Sequence, residues 1–264
     1  MSMITLYTHP MSPCAQKVRI VLAEKQLSWQ PHPINLQQKE NLQPWYLELN
    51  PLGVVPTLVE NDKPVIESSL ICEYLEDSYP AISLRSQDPH EIAAMRLWMK
   101  HIDIKLHPSC GALQWPLIMR PALLEKSPEE QQALINRVVE KPRRERQRRL
   151  LEMGLNAPDV IDAVKTYATT IEKMERALQN HNWLAGDDIS LADCAMAPYF
   201  QTLKQFGWEL FFESAPRVKQ WYATLSARES YQAAVDADFS AETNAELLTL
   251  GRQALPIIRH HLAS

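Results

Sequence analysis

Glycine is scarce, with six among 264 residues, and none falls in a GxGxxG or GxxxxGK(S/T) arrangement. That speaks against Rossmann and P-loop phosphate cradles. Cysteine is sparse too: Cys14, Cys72, Cys110 and Cys194 lie far apart with no CxxC pair. Neither a zinc cage nor a secreted disulfide framework is expected, and a cytoplasmic location follows. The histidines include no HExxH, so no metal is expected. No stretch approaches the ~20 apolar residues of a membrane span, and no basic-then-apolar leader opens the chain. Neither a membrane nor a signal peptide is expected. Excess positive charge is missing as well: 27 Lys and Arg against 32 Asp and Glu leave −5. Nucleic acid, which is held by neutralising phosphates, is therefore not an expected partner. What remains is 45% apolar residues, enough to bury the core of one large or two modest domains.

The first eighty residues alternate between two patterns. Residues 3–7 are apolar and β-prone and run into the turn-rich THPMSP; Cys14, Val18, Val21 and Leu22 then recur at helical spacing. Residues 28–35 predict a second strand, confined to an edge by Pro31 and Pro33. Residues 56–60, the turn Asn61–Asp62 and residues 64–66 predict a β-hairpin. From Ser68, the set Leu70, Ile71, Tyr74 and Leu75 predicts an amphipathic helix ending near Tyr79 and Pro80. The order β-α-β-(α)-β-β-α is a thioredoxin-like layout over residues 1–82.

Beyond Pro80 the strand signal stops. Ile92, Met95, Trp98, Met99, Ile102 and Leu106 form an apolar stripe after Asp88–Pro89, where Asp caps and Pro takes the first helical position. Residues 160–178, 191–203 and 218–225 read as further helices, and a capping box, Ser190-x-x-Asp193, opens one of them. Pro198 is expected to kink that helix or shift its boundary. The fold class is thus α/β plus all-α: an N-terminal thioredoxin-like domain, a linker at 83–87, and a C-terminal helical-bundle domain over 88–264. The run KPRRERQRR at 141–149 carries six basic residues and one acid. It reads as a solvated face or loop in preference to an anion or polymer contact. Residues 241–262 are weakly helical and read as a lid or an ordered tail.

Taken in order, LYTHPMSPCAQKVRIVLAEK, NPLGVVPTLV, VIESSLICEYLED and SLADCAMAPYF resemble the cytosolic glutathione transferase superfamily over nearly the whole chain. The helix from Asp88 through Pro108 resembles the zeta-like class. The insertion around 117–156 is similar to bacterial β-aryl-etherase and tetrachlorohydroquinone-dehalogenase relatives. The resemblance implies glutathione as co-substrate, a small hydrophobic electrophile as acceptor, a homodimer, and detoxification as the broad role. It further implies that Val55, before a cis Pro56, pairs its backbone with the cysteinyl unit of glutathione, a small β-augmentation. Glu67 would receive the ligand's ammonium group. Ser68, at a helix N-terminus, would donate to a carboxylate, its plainer reading being an N-cap. Lys39 lies in the segment that supplies a donor for the glycine carboxylate.

At the first helix, the resemblance gives Ser12 the role of donor to the glutathione thiolate. Cys14 matches the dehalogenases, where the cysteine forms a mixed disulfide with glutathione. Its other reading, favoured from the sequence, is a small buried residue packing the helix on the sheet. His107 falls where zeta-like enzymes place a polar residue facing glutathione, or it is a core histidine. Trp98, Trp115 and Met119 read as core before they read as an electrophile pocket. Asp193 has a structural reading only, as a cap worth about 0.5–2 kcal/mol. The expected activity is glutathione transfer to an electrophile. The alternatives are isomerisation of maleyl-type acids, β-ether cleavage, reductive dehalogenation and, from another class, a non-catalytic interaction module. Ser12-Pro13-Cys14 departs from the SSC triplet of the isomerase class. Ser12, Pro56, Glu67 and Ser68 together argue against a pure scaffold.

Overall fold

The structure, a computed structural model, describes residues 3–263, so the expected outer limits at residues 1 and 264 lie outside the described residues. Strand β1 (Ile4–Thr8) alternates buried and half-buried side chains, placing Ile4 and Leu6 in the core. It lies between β2 (Trp29–Pro33), parallel to it, and β3 (Thr57–Glu60), antiparallel to it; β4 (Lys63–Val65) completes the order β2-β1-β3-β4. Pro31 and Pro33 thus sit on an edge, where a missing N–H costs no ladder bond. The β3–β4 hairpin turns at Asn61 and Asp62, with φ of 52° and 59°. Positive φ at both central residues is what a tight two-residue turn needs, and Asn and Asp tolerate it.

Helix α1 (Pro13–Glu24) packs on α3 (Ser68–Ser78), and the short α2 (Pro44–Leu49) precedes β3. Helix α4 (Pro89–His101) starts at Asp88, whose carboxylate accepts from the His90 N–H at 2.8 Å. One π-type turn, Ile102–Leu106, interrupts the stripe that reads as a single helix, and α5 (His107–Ile118) follows. The extra residue in that turn lets Ile102 and Leu106 stay buried while Asp103 and His107 line a cavity. Then come α6 (Arg120–Leu124), α7 (Pro128–Asn136), α8 (Lys141–Met153) and α9 (Pro158–Ala177).

Helix α10 (Leu191–Gln205) is the core of the helical part; every residue from 191 to 203 is buried, and it packs on α1. It runs through Pro198, so of the two expectations there, a kink or a shifted boundary, the boundary does not fall at the proline. Close packing on all sides holds the turn despite the lost N–H, and Thr202 Oγ1 donates back to the Pro198 carbonyl at 3.1 Å. After α11 (Pro216–Ser226) and α12 (Glu229–Ala234), α13 (Ala241–Ala263) docks against α9 and α10. Gly251 lies so close to Phe206 that a Cβ there would sit 1.9 Å from its carbonyl oxygen. The tail is therefore a packed helix and not a lid.

Candidate active site

The site is built at the start of α1. Ser12 is its N-cap, in an extended conformation, and its Oγ accepts from the Ala15 N–H at 3.3 Å. Pro13 fills the first helical position at no cost, because that N–H has no helical partner anyway. Cys14 follows on the same turn. Its Sγ lies 3.4 Å from Nδ1 and 3.7 Å from Nε2 of His107, the first residue of α5. Burial alone would push the Cys14 thiol up. The charge and hydrogen bond of His107, the charge of Lys17 and the hydrogen bond of Ser68 outweigh that and bring it down to about 6. Lys17 itself is wholly buried; its Nζ donates to Ser69 Oγ and to Asp103 Oδ1, each at 2.9 Å. Cys14 is half-buried, so the favoured reading as an inert packing residue is displaced. The contrast with the others is sharp: burial holds Cys72 at about 12 and Cys110 at about 11.

Ser12, Cys14, Val55, Pro56, Glu67, Ser68 and His107 line one cavity of about 400 Å³. The Val55–Pro56 bond is cis, and the carbonyl of Val54 beside it is taken by Tyr46 Oη and Asn50 Nδ2 at 2.7 and 2.9 Å. Glu67, and not Ser68, is the N-cap of α3; Ser68 is the first helical residue, its N–H directed outward from the helix start. Glu67 has φ of 68°, a conformation that costs a non-glycine residue about 1–3 kcal/mol and that gathers at functional sites.

An adjoining cavity of about 300 Å³ shares Ser12, His107 and Trp115 with the first and is walled by Ile118, Met119, Ile135 and Val138. Lys39 lies at this second cavity, half-buried, in a left-handed conformation with φ of 58°. Trp115 and Met119 therefore face open space. Trp98 does not: its Nε1 donates to the Leu184 carbonyl at 3.0 Å, and the ring packs on the core.

The basic run departs most from the sequence reading. It forms α8, and Arg143 and Arg146 line the first cavity, with Arg143 also lining the second. The signal was available: Arg143, Arg146, Gln147 and Leu150 fall at i, i+3, i+4 and i+7, one helix face ending on a buried leucine. Among the described residues no three His, Cys, Asp or Glu side chains converge to hold a metal, and no helix is long and apolar enough to cross a membrane.

Comparison with known proteins adds to this geometry. Residues 6–84 match the model of glutathione S-transferase N-terminal domains, and residues 115–229 match that of the C-terminal domains. A glutathione S-transferase from Hyoscyamus muticus is 25% identical over 88% of this chain and 97% of its own length. Protein LigF from Sphingobium sp. strain SYK-6 is 28% identical over 85% of this chain and 91% of its own. The crystal structure of LigF, described as a beta-etherase, superposes with a TM-score of 0.77, covering 88% of this chain and 98% of that one.

Proposed function

Since this chain belongs to the glutathione S-transferase family, we propose that its first cavity holds glutathione and its second an apolar electrophile, with the reacting thiol beside Ser12, Cys14 and His107. The described residues up to 82 would form the domain that grips the tripeptide, and those from 88 on the domain that walls the electrophile. Val55, on the cavity wall beside the cis bond, would offer its main chain to the cysteinyl unit. Ser68 and the start of α3 suit a carboxylate and Glu67 the ammonium group. Lys39, on the wall of the second cavity, is left for the glycine carboxylate where that end of the tripeptide reaches the residues both cavities share, Asn41 and Gly53 among them.

One observation carries this reading: Cys14 Sγ at the start of α1 lies 3.4 Å from His107 Nδ1 in a cavity that Ser12 and Ser68 also line, and the charges of His107 and Lys17 hold the thiol down, at about 6. The positive groups that ionise Cys14 act on any sulfur placed beside it. Glutathione bound there would be held as thiolate, with Ser12 Oγ donating to it. In the transfer step the thiolate sulfur forms a bond to the electrophilic carbon, and the leaving group departs with the electron pair of the broken bond. The two cavities share a wall, so the gain is proximity as well as activation.

A second reading rests on the same distance. Two thiolates side by side repel, so an ionised Cys14 competes with an ionised glutathione. Cys14 would then attack oxidised glutathione: one disulfide bond breaks, a mixed disulfide forms at Cys14, and glutathione leaves as thiolate. Calorimetric titration of reduced glutathione in two buffers of different ionisation enthalpy separates the readings. Binding with release of a proton supports transfer. Binding without release, together with gain of one glutathionyl unit on exposure to oxidised glutathione, supports Cys14. No binding of reduced glutathione together with no glutathionyl unit gained from the oxidised form overturns both.

The proposal includes a homodimer and a cytoplasmic setting. Leu70 on α3 and Leu97 on α4 are 62% and 68% exposed, and Arg96 ties these helices together through Glu73. Leu97→Glu should turn a sedimenting dimer into a monomer. Four free thiols suit a reducing compartment.

A further inference from the structure

Helix α8 presents six basic residues between 141 and 149, and their fates differ. Arg144 Nη1 donates to the Val138 carbonyl at 3.0 Å, Arg148 pairs with Glu145 and Asn136 at 2.6 Å, and Arg149 forms a two-pronged bond to Asp159 at 2.8 and 2.7 Å. Arg143 and Arg146, one turn apart, have no hydrogen bond or ion pair among the described residues, and both line the cavity beside Cys14. Asp159 is engaged by Arg149 and Asp103 by Lys17, while Glu67 and the exposed Glu140 also line the cavity without a hydrogen bond to either arginine. Burial and the charge of Arg143 lower the pKa of Arg146 against the opposing charges of Asp159 and Glu140; burial, Arg143 and Arg137 lower that of Lys39. Neither arginine has a hydrogen-bonded acid of its own there, and cations that crowd one another in a cavity cost stability unless an anion joins them.

We propose that Arg143 and Arg146 form a subsite for an anionic group, a carboxylate or similar, carried by the electrophile. This rests on the reading of the cavity as a glutathione site. The two carboxylates of glutathione already have Ser68 with the start of α3, and Lys39. Two guanidinium groups are left over, on a different helix, and Arg143 reaches the apolar cavity as well. The electrophile is then an apolar, ring-sized body that fits against Trp115 and Met119 and bears a negative charge at one end. Guanidinium groups meet planar carboxylates through paired hydrogen bonds, which makes arginine the fitting residue for this task.

The test measures the affinities of S-benzylglutathione and S-(4-carboxybenzyl)glutathione by calorimetry, on the wild type and on Arg143→Gln and Arg146→Gln. The wild type should bind the carboxylated conjugate roughly 10- to 100-fold more tightly, and each substitution should bring that ratio towards one. Equal affinity of the two conjugates for the wild type overturns the subsite even if neither variant folds. So does a ratio that survives both substitutions, or an equal weakening of both conjugates, which would assign the arginines to glutathione itself. Failure of the wild type to bind either conjugate removes the glutathione reading along with it. Binding of the neutral conjugate without a carboxylate preference removes only the subsite.

Discussion

Sγ of Cys14 lies 3.4 Å from Nδ1 and 3.7 Å from Nε2 of His107, although 93 residues separate them in the chain. The imidazole of His107 is therefore set directly against the sulfur. Lys17 on α1 and Ser68 on α3 face the same atom, and Asp103 on the π-type turn moderates Lys17. A thiol lowered to about 6 is protonated and inert below that pH and ionised above it. Alkylation of Cys14 by iodoacetamide should rise with pH to half its plateau rate near pH 6. His107→Gln should move that midpoint upward, towards the usual value of about 8.5. A wild-type midpoint already at the usual value would sink the pairing.

Ser12 and Cys14 are separable by their kinetics. Ser12→Ala removes a donor to the developing thiolate and should lower kcat/KM for an aryl halide by about 100-fold. It also removes the cap on Ala15, so the melting temperature should fall by the equivalent of about 1 kcal/mol. Cys14→Ala should cost less activity than Ser12→Ala. The opposite ranking would hand the chemistry to the cysteine.

The layout of strands and helices was legible because it rests on local signals: alternation in β1, proline on the edge strand, Asn61–Asp62 at a hairpin, Asp88–Pro89 at a helix start. That Ser12, Val55, Glu67 and Ser68 come together on one cavity was legible through motifs that are themselves local turns and caps. The Cys14–His107 contact was not, since it depends on how α5 is placed by the π-type turn, a one-residue insertion that periodicity reads straight through. Arg143 and Arg146 were obscured by their neighbours. A run of six cations looks solvated as a whole, and only its division by helix face shows that two of them turn inward.

Asp193 does more than cap α10. Its carboxylate accepts from the Ser190 N–H and Oγ, from the Leu184 N–H and from Trp221 Nε1, all between 2.8 and 3.0 Å, and it is wholly buried. Removing it leaves several buried donors without a partner, each costing about 1–3 kcal/mol. Asp193→Ala should therefore lose more than the 0.5–2 kcal/mol of a cap, on the order of 3–5 kcal/mol. Ser190→Ala, which deletes one of the four bonds, should lose only about 1 kcal/mol. Urea denaturation of the two variants checks this; equal midpoints would reduce Asp193 to a cap.

The connection between the two parts of the chain is held by a buried ion pair. Lys25 Nζ lies 2.7 Å from Glu76 Oε2, with the side chains 0% and 3% exposed. Both partners also reach the linker. Lys25 donates to the Ile82 carbonyl at 2.6 Å, while Glu76 accepts from Ser83 Oγ at 2.7 Å and from the Leu84 N–H at 3.1 Å. The Leu84 carbonyl in turn accepts from the Leu191 N–H at the start of α10. Glu76 thus orders the chain segment that enters the helical part. Glu76→Ala would strand a buried ammonium group and free residues 82–84, costing about 3–5 kcal/mol. Replacing both partners, as in Lys25→Met with Glu76→Leu, removes the stranded charge and should recover part of the loss. Hydrogen exchange should then still show faster opening at the Leu84 and Leu191 amides than in the wild type. Wild-type exchange at both amides in the double variant would show that the pair does not anchor the linker.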